Sequence, residues 1–262
     1  MKTSTSKRLR WNIAIWLAAG LFMTGASGMA SGPIMPDPKA EARHQPQVEE
    51  TANGIPLVNI TAPSSGGVSR NEYETFNVPD KGAILNNSYT LSKTELAGYV
   101  QGNNNMAERP AKIIVNEVTG AGSTSMDGFL EVAGNRADVV IANPNGITVN
   151  GGGFINTGKA FLTTGKPVYD GEDHLQRFDI TGGDILIEGK GLNGKEAGSL
   201  AILSRAVKIN AGIWAKDLHI TTGANNIDAK TLEASAIEGK GGRPAFALDT
   251  AAIGGMYAGR IT

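Results

Sequence analysis

From Lys112 onward the chain is built of short β-branched runs bounded by Gly or Asn, with no helical segment between them. The runs are Ile113-Ile114-Val115, Phe129-Leu130-Glu131-Val132, Asp138-Val139-Val140-Ile141-Ala142, Ile147-Thr148-Val149, Phe161-Leu162-Thr163, Ile185-Leu186-Ile187, Leu200-Ala201-Ile202-Leu203, Val207-Lys208-Ile209 and Leu218-His219-Ile220. A weak repeat underlies them. Lys159-Ala160-Phe161-Leu162-Thr163-Thr164-Gly165 is similar to Lys216-Asp217-Leu218-His219-Ile220-Thr221-Thr222-Gly223, and closing glycines fall at 165, 189, 212 and 223, spaced 24, 23 and 11 apart. Strand-and-turn units with a period near 20 residues mark a solenoid. Parallel strands need a crossover, and with no helix to supply it the coil itself must make the connection. The pattern points to an all-β parallel β-helix, with a sandwich or an up-and-down barrel as alternatives. In such a coil Ile141, Val149, Leu162, Ile187, Ile202, Ile209 and Ile220 point inward, on rungs about 4.8 Å apart. At about 22 residues per coil, residues 31–262 would make roughly ten rungs.

Composition agrees. Glycine supplies 35 of the 262 residues and asparagine 20. Both are poor inside helices, which excludes a helical bundle, and the glycine lacks the G-X-Y period of collagen. Both suit the corners of a coil, where positive φ is needed and an Asn amide can bond backbone groups. The absence of cysteine excludes disulfide frameworks and zinc–thiolate centres. A net charge of −1 gives no electrostatic case for nucleic acid as a partner.

The first thirty residues stand apart. Lys2, Lys7, Arg8 and Arg10 precede an apolar stretch from Trp11 to Met23, and small residues from Thr24 to Ala30 follow. A basic start, an apolar segment of about a dozen residues and a small-residue end describe a secretory signal peptide, cut after Ala30 or, second, after Gly28. The apolar run is shorter than the roughly 20 residues that a membrane-spanning helix requires. Residues 31–53 contain Pro33, Pro36, Pro38 and Pro46 and little that is apolar, and read as a flexible linker. Order is expected from residue 54, with strands at Ile55–Ile60, Tyr73–Val78 and Ala83–Leu85 and an ambiguous polar stretch from Thr90 to Pro110.

Enzyme chemistry finds little support. Gly153-Phe154-Ile155-Asn156-Thr157-Gly158-Lys159 and Gly189-Lys190-Gly191-Leu192-Asn193-Gly194-Lys195 approach a phosphate-binding loop but end in Ala160 and Glu196 where a hydroxyl is required. His44, His174 and His219 have no metal-ligand spacing, so neither a metal nor a cofactor is indicated. His219, between Leu218 and Ile220, should face outward. The enzymatic alternative is a β-helical carbohydrate-active enzyme such as a polysaccharide lyase, which would need carboxylates gathered across rungs. Asp170, Glu172 and Asp173 read instead as one solvated acidic turn, and no spacing joins Asp138 to Glu188. An outer-membrane barrel would need strands of about ten residues with aromatic girdles; here the runs are half as long, and Trp214 is the one Trp beyond residue 30.

The most distinctive segment is Asp138-Val139-Val140-Ile141-Ala142-Asn143-Pro144-Asn145-Gly146-Ile147-Thr148-Val149-Asn150-Gly151, a strand, a tight turn and a strand. Pro144 fixes φ and keeps Asn143 extended, while Asn145-Gly146 supplies positive φ. Asn143-Pro144-Asn145-Gly146-Ile147 resembles a signature motif of the secretion domain of two-partner secretion exoproteins, the filamentous haemagglutinin family, which includes contact-dependent growth-inhibition toxins. The companion motif of that family, Asn-Pro-Asn-Leu, aligns with Asn103-Asn104-Asn105-Met106, where Asn104 replaces Pro and Met106 replaces Leu. Asn59-Ile60, Gly66-Gly67-Val68-Ser69, Phe76-Asn77-Val78, Ile84-Leu85-Asn86-Asn87 and Ala252-Ile253-Gly254-Gly255-Met256-Tyr257 are also similar to the family.

The resemblance implies a right-handed parallel β-helix over residues 54–262 with capping β-elements at its start. It implies an exported protein that passes through the periplasm to the medium or the cell surface. Its partner would be a dedicated outer-membrane transporter whose periplasmic domains recognise this domain. The passenger, an adhesin, haemolysin or growth-inhibition toxin that would meet a host or target-cell surface, is expected outside this chain, whether the chain is a fragment, a truncated frame or a minimal exoprotein. Absence of cysteine suits export, since no periplasmic disulfide can obstruct threading. Mass spectrometry of exported material should find about thirty residues removed; recovery of intact, membrane-anchored Met1 material would refute the assignment.

Overall fold

The computed structural model describes residues 32–262 apart from residues 108, 243, 252 and 253. The expected signal peptide and the Ala252-Ile253 pair lie outside the described residues. Short strands of alternating pattern wind into a three-faced coil. One face consists of Val68–Phe76, Ile113–Val118, Ala137–Ala142, Thr157–Thr163, Ser199–Ser204 and the later half of Gly212–Thr222. A second runs through Pro56–Asn59, Ala83–Asn87, Phe129–Gly134, Gly152–Ile155, Leu192–Gly194 and the earlier half of Gly212–Thr222. The third holds Thr124–Met126, Ile147–Val149, Asp184–Ile187, Ala206–Ile209 and Leu248–Thr250. Pairing along every face is parallel, and Gly255–Ile261 adds a further parallel strand beside Gly212–Thr222.

Register explains the core. Ile114, Val139, Ala160, Leu200 and Leu218 are successive partners on the first face, and Ile147, Ile185 and Val207 on the third. All eight belong to one buried cluster inside the coil. Because side chains alternate across a strand, holding this register puts like with like from turn to turn. Of the seven residues expected inside, six are fully buried and Ile220 packs half-buried against the same cluster. His219 lies on the outward side of its strand, half-exposed.

The apparent glycine period mixes different corners. Gly165 and Gly223 follow first-face strands, Gly189 follows a third-face strand and Gly212 opens a second-face one. True partners on the first face lie 25, 21, 40 and 18 residues apart. The step of 40 arises because the hairpin Lys166–Tyr169 with Leu175–Ile180 leaves the coil between two turns. The expected ten rungs therefore reduce to six first-face strands before Gly255–Ile261.

Chain that leaves the coil covers its outer surface. The hairpin joins Asn225–Asp228 and Ala234–Ala236 in a four-stranded antiparallel sheet. Leu175, Phe178, Ile180 and Ile227 from this sheet bury Val115, Val140, Phe161, Ala201 and Leu203, which point outward from the first face. The ambiguous stretch forms a second hairpin, Ser92–Thr94 with Gly98–Val100. Val100 and Leu96 pack over Leu57, Ile84 and Ala133 of the second face. The buried Glu131 carboxylate accepts the amides of Glu95 (2.7 Å) and Leu96 (2.9 Å) and fixes that hairpin.

The flexible linker expected over residues 31–53 is a correction. Ile34–Pro36 pairs antiparallel with Val68–Phe76, a short 3₁₀ turn covers Ala42–His44, and Gln47–Glu50 pairs antiparallel with Pro56–Asn59. These are the capping elements that the resemblance implied, and they satisfy the otherwise open edge of the first coil. The proline-rich composition misled because Pro tolerates an edge strand, and Pro36 sits at an irregularity in the pairing. Ile34 supplies the apolar anchor.

Ile187 is fully buried between Val149 and Ile209. Ile187→Asp should therefore cost several kcal/mol, against about 1 kcal/mol for Ile187→Val. Urea unfolding followed by circular dichroism measures the difference; equal midpoints for the two variants would contradict the register.

Candidate functional site

The Asn143-Pro144-Asn145-Gly146 corner joins the first-face strand Ala137–Ala142 to the third-face strand Ile147–Val149. Gly146 N–H donates to the Asn143 carbonyl at 3.1 Å and closes the turn. Gly146 has φ +111°, and a Cβ there would stand 3.0 Å from the Asp184 carbonyl oxygen of the following turn. Ile147 is buried and stacks in register between Thr124 and Ile185.

The two asparagines do different work. Asn143 is fully buried. Its Oδ1 accepts Asn145 N–H at 2.9 Å, while Nδ2 donates to the Gly122 carbonyl at 2.9 Å and to Thr124 Oγ1 at 3.0 Å. Its backbone N–H donates to the Thr163 carbonyl, 2.9 Å away on the next turn. One residue thus bonds the turn before it and the turn after it. Asn145 is exposed, although its Nδ2 donates to the Gly120 carbonyl at 2.8 Å. Pro144 is exposed as well.

The approximate second motif makes the same set of bonds at another corner. Asn103 is buried, its Oδ1 accepts Asn105 N–H at 3.0 Å, and its Nδ2 donates to the carbonyls of Ile60 (2.9 Å) and Asn86 (3.0 Å). Asn105 Nδ2 donates to the same Ile60 carbonyl at 3.0 Å. Met106 is buried, ending a short 3₁₀ turn, and Asn104, in the position of Pro144, is exposed. The structure does not bring the two motifs to one corner; it builds the same clamp twice.

Sequence reasoning missed the extent of this device. Asn71, Asn87 and Asn116 are buried inside or at the ends of strands. Asn87 Nδ2 donates to the carbonyls of Ala111 (2.9 Å) and Asn135 (2.8 Å), and its Oδ1 accepts Ala111 N–H at 2.7 Å. Asn116 Nδ2 donates to the Val140 carbonyl at 3.1 Å, and its Oδ1 accepts the Tyr73 hydroxyl at 3.0 Å. The available signal was an Asn inside a β-branched run, as in Ile114-Val115-Asn116-Glu117-Val118, where no turn residue flanks it.

The enzymatic candidates are engaged or dispersed. Asp173 is half-buried, and its carboxylate contacts Arg43, His44 and Arg70. Asp170 accepts His174 N–H at 2.9 Å, and Asp138 accepts Lys159 N–H at 2.7 Å. The first glycine-rich segment is strand, corner and strand, with no helix for a phosphate to cap.

Comparison with known proteins agrees with the fold. The TPS secretion domain family matches residues 33–262. A "16S rRNA endonuclease CdiA" of Enterobacter cloacae subsp. cloacae is 47% identical over 237 residues, covering 89% of this chain and 7% of that protein. A "Toxin CdiA" of Yersinia pestis is 46% identical over 234 residues, with 88% and 7% covered. The crystal structure of a filamentous hemagglutinin secretion domain superposes with a TM-score of 0.80 at 34% identity, covering 88% of this chain and 77% of that one. The chain spans about 7% of the length of the curated relatives it matches.

Burial separates the two asparagines energetically. Asn143→Ala orphans buried partners and should cost about 2–4 kcal/mol, lowering the melting temperature by roughly 5–15 °C. Asn145→Asp removes one exposed donor and should cost under about 1 kcal/mol. Calorimetry of both variants tests this, and equal melting temperatures would contradict it.

Proposed function

Because the chain belongs to the TPS secretion domain family, we propose that its β-helix is the address by which a dedicated outer-membrane transporter takes up a longer polypeptide from the periplasm and delivers it to the medium or the cell surface. The observation that supports this reading is the division of each motif into a buried clamp and an exposed tip. Asn143 and Asn103 are spent on holding turns together. Pro144, Asn145 and Asn104 stand at the surface with few duties inside. Exposed loop residues on a rigid scaffold are the ones a partner can read. The transporter's periplasmic domains would meet these tips, and the clamps would present them in fixed register. Any adhesive or toxic activity, and any contact with a host or target cell, would belong to a passenger.

Co-expression with the matched transporter tests the proposal. Pro144→Ala, Asn145→Asp and Asn104→Ala should each leave the melting temperature within a few degrees. Release to the medium should fall about tenfold, the effect of losing about 1.4 kcal/mol of recognition. Normal release by all three would show that the motifs serve the fold alone. Asn143→Ala, which loses stability as well, is the control for misfolding.

A further inference from the structure

Away from both motifs, one edge of the coil carries a line of cations. Where the chain passes from the second face to the first, successive turns place Lys112, Arg136, Lys159, Lys195, Lys216 and Arg260, all exposed. Backbone contacts join these turns. Asp138 N–H donates to the Lys112 carbonyl at 2.9 Å, Lys159 pairs with Ser199, and Asp217 pairs with Arg260. Turns about 4.8 Å apart give the line a length of about 25 Å. Beyond residue 30 the sequence holds 20 basic and 25 acidic side chains, so this edge runs against the balance of the chain. Among the described residues it also holds Asp138, Glu196 and Asp217, and two of these are engaged. Asp138 accepts Lys159 N–H at 2.7 Å, and Asp217 pairs with Arg260 at 3.2 Å. The edge that carries Asn143 has no charged side chain in residues 119–123, 143–146 or 164–165.

The line borders two grooves. One, of 680 Å³, is lined by Lys112 and Arg136; the other, of 580 Å³, by Arg136, Lys159 and Arg260. They share Arg136, Asp138 and Gly158, and Lys230 from the outer sheet adds a cation to the second. Backbone comes to the surface of that groove at Gly158 and Gly198. A Cβ at Gly158 would stand 2.2 Å from Asp138 Oδ1, and one at Gly198 would stand 2.8 Å from the Gly158 carbonyl, so glycine keeps it open. Farther along the line, Lys195 Nζ lies 5.9 Å from the centre of the Trp214 ring. Trp214 stacks on Tyr257 at 6.0 Å and 12°, and Tyr257 is 60% exposed.

We infer that this edge binds an acidic polysaccharide: a linear chain of uronate sugars laid along the coil, its carboxylates on the cations and a ring face on Tyr257. A cleft lined by one sign of charge concentrates ions of the other sign. Carboxylates of a uronate chain recur at a spacing close to that of the turns, so successive sugars can meet successive cations. Peptides are held through a free strand edge or an apolar socket, and the first-face strands here are paired on both sides. A flat bilayer would touch the rims of a groove and not its floor. Single-stranded nucleic acid stacks successive bases on a series of rings, whereas Tyr257 is the one exposed ring beside this edge among the described residues.

Titration calorimetry of the exported chain with an oligogalacturonate long enough to span the line tests the proposal, against a glutamate peptide with the same number of carboxylates. The oligogalacturonate should bind more tightly than the peptide, and its binding should weaken steeply between about 50 and about 200 mM salt. Lys112→Gln, Lys159→Gln and Lys216→Gln combined should lower its affinity about tenfold or more and leave the melting temperature unchanged. Lys81→Gln, Lys190→Gln and Lys208→Gln, exposed elsewhere on the coil, remove the same charge and should change affinity less than about twofold. Tyr257→Ala should weaken oligogalacturonate several-fold and leave the peptide unaffected. Several outcomes would each overturn the proposal: no binding by the unsubstituted chain, an equal loss in both triple variants, or indifference to Tyr257→Ala. Binding of the glutamate peptide, phosphatidylglycerol vesicles or oligothymidylate as tight as that of oligogalacturonate would do so too.

Discussion

Where the strands of this coil stop at its corners, carbonyls of one turn face the next, and backbone amides receive only some of them. An unpaired buried carbonyl costs as much as a lost hydrogen bond, so a coil without partners at its corners would not close. Here a buried asparagine amide supplies them. Asn143 meets Gly122 and Thr124, Asn103 meets Ile60 and Asn86, and Asn87 meets Ala111 and Asn135. Each such amide fixes the rise from one turn to the next, and with it the register that stacks Ile147 on Thr124 and beneath Ile185. The apolar core follows from the corners as much as the corners follow from it.

A narrow coil has a second problem, because its strands show one side to the interior and the other to solvent. Val115, Val140 and Phe161 are apolar on the outward side too. The antiparallel sheet that leaves the coil after Thr163 and again after Thr222 covers them, with Phe161 and Phe178 packed at 5.9 Å between ring centres. Beside Val68 and Val115, the outward positions on the first two strands hold Arg70, Glu72 and Glu117. The covering there is ionic, and the N-terminal arm supplies part of it.

The coil could be read from the chain because its rule is local: β-branched residues alternate and glycine marks the ends, so Ile141, Leu162 and Ile202 are recognisable as interior residues without knowing what they touch. The number of turns could not, because Lys166–Ile180 has the same alternating composition as a turn yet pairs antiparallel outside the coil. The arm was missed for a related reason. Asp37, His44 and Pro46 look solvated in sequence, and only partners far along the chain, such as Thr119 for Asp37 and Glu72 for His44, make their burial affordable. For the motif, the turn geometry was evident from Pro144 and Gly146. The depth of Asn143 was not, since its partners sit about 20 residues earlier on another face.

The bridge from Arg43 to Asp173 spans 130 residues, whereas neighbouring turns of the coil are closed by segments of about 20. Closing a short loop costs little more than closing one half its length, about 0.6 kcal/mol per doubling, so turns can be added one after another as the chain becomes available. A contact of such long range has no such shortcut and waits until its far end arrives. For a polypeptide delivered from its amino terminus, four first-face strands can form before Asp173 appears. The segment made first is then fastened fully only late, and until that moment the leading end of the coil is held by backbone pairing, the Ile34 anchor and the partners of Asp37 and His44 on the first strands.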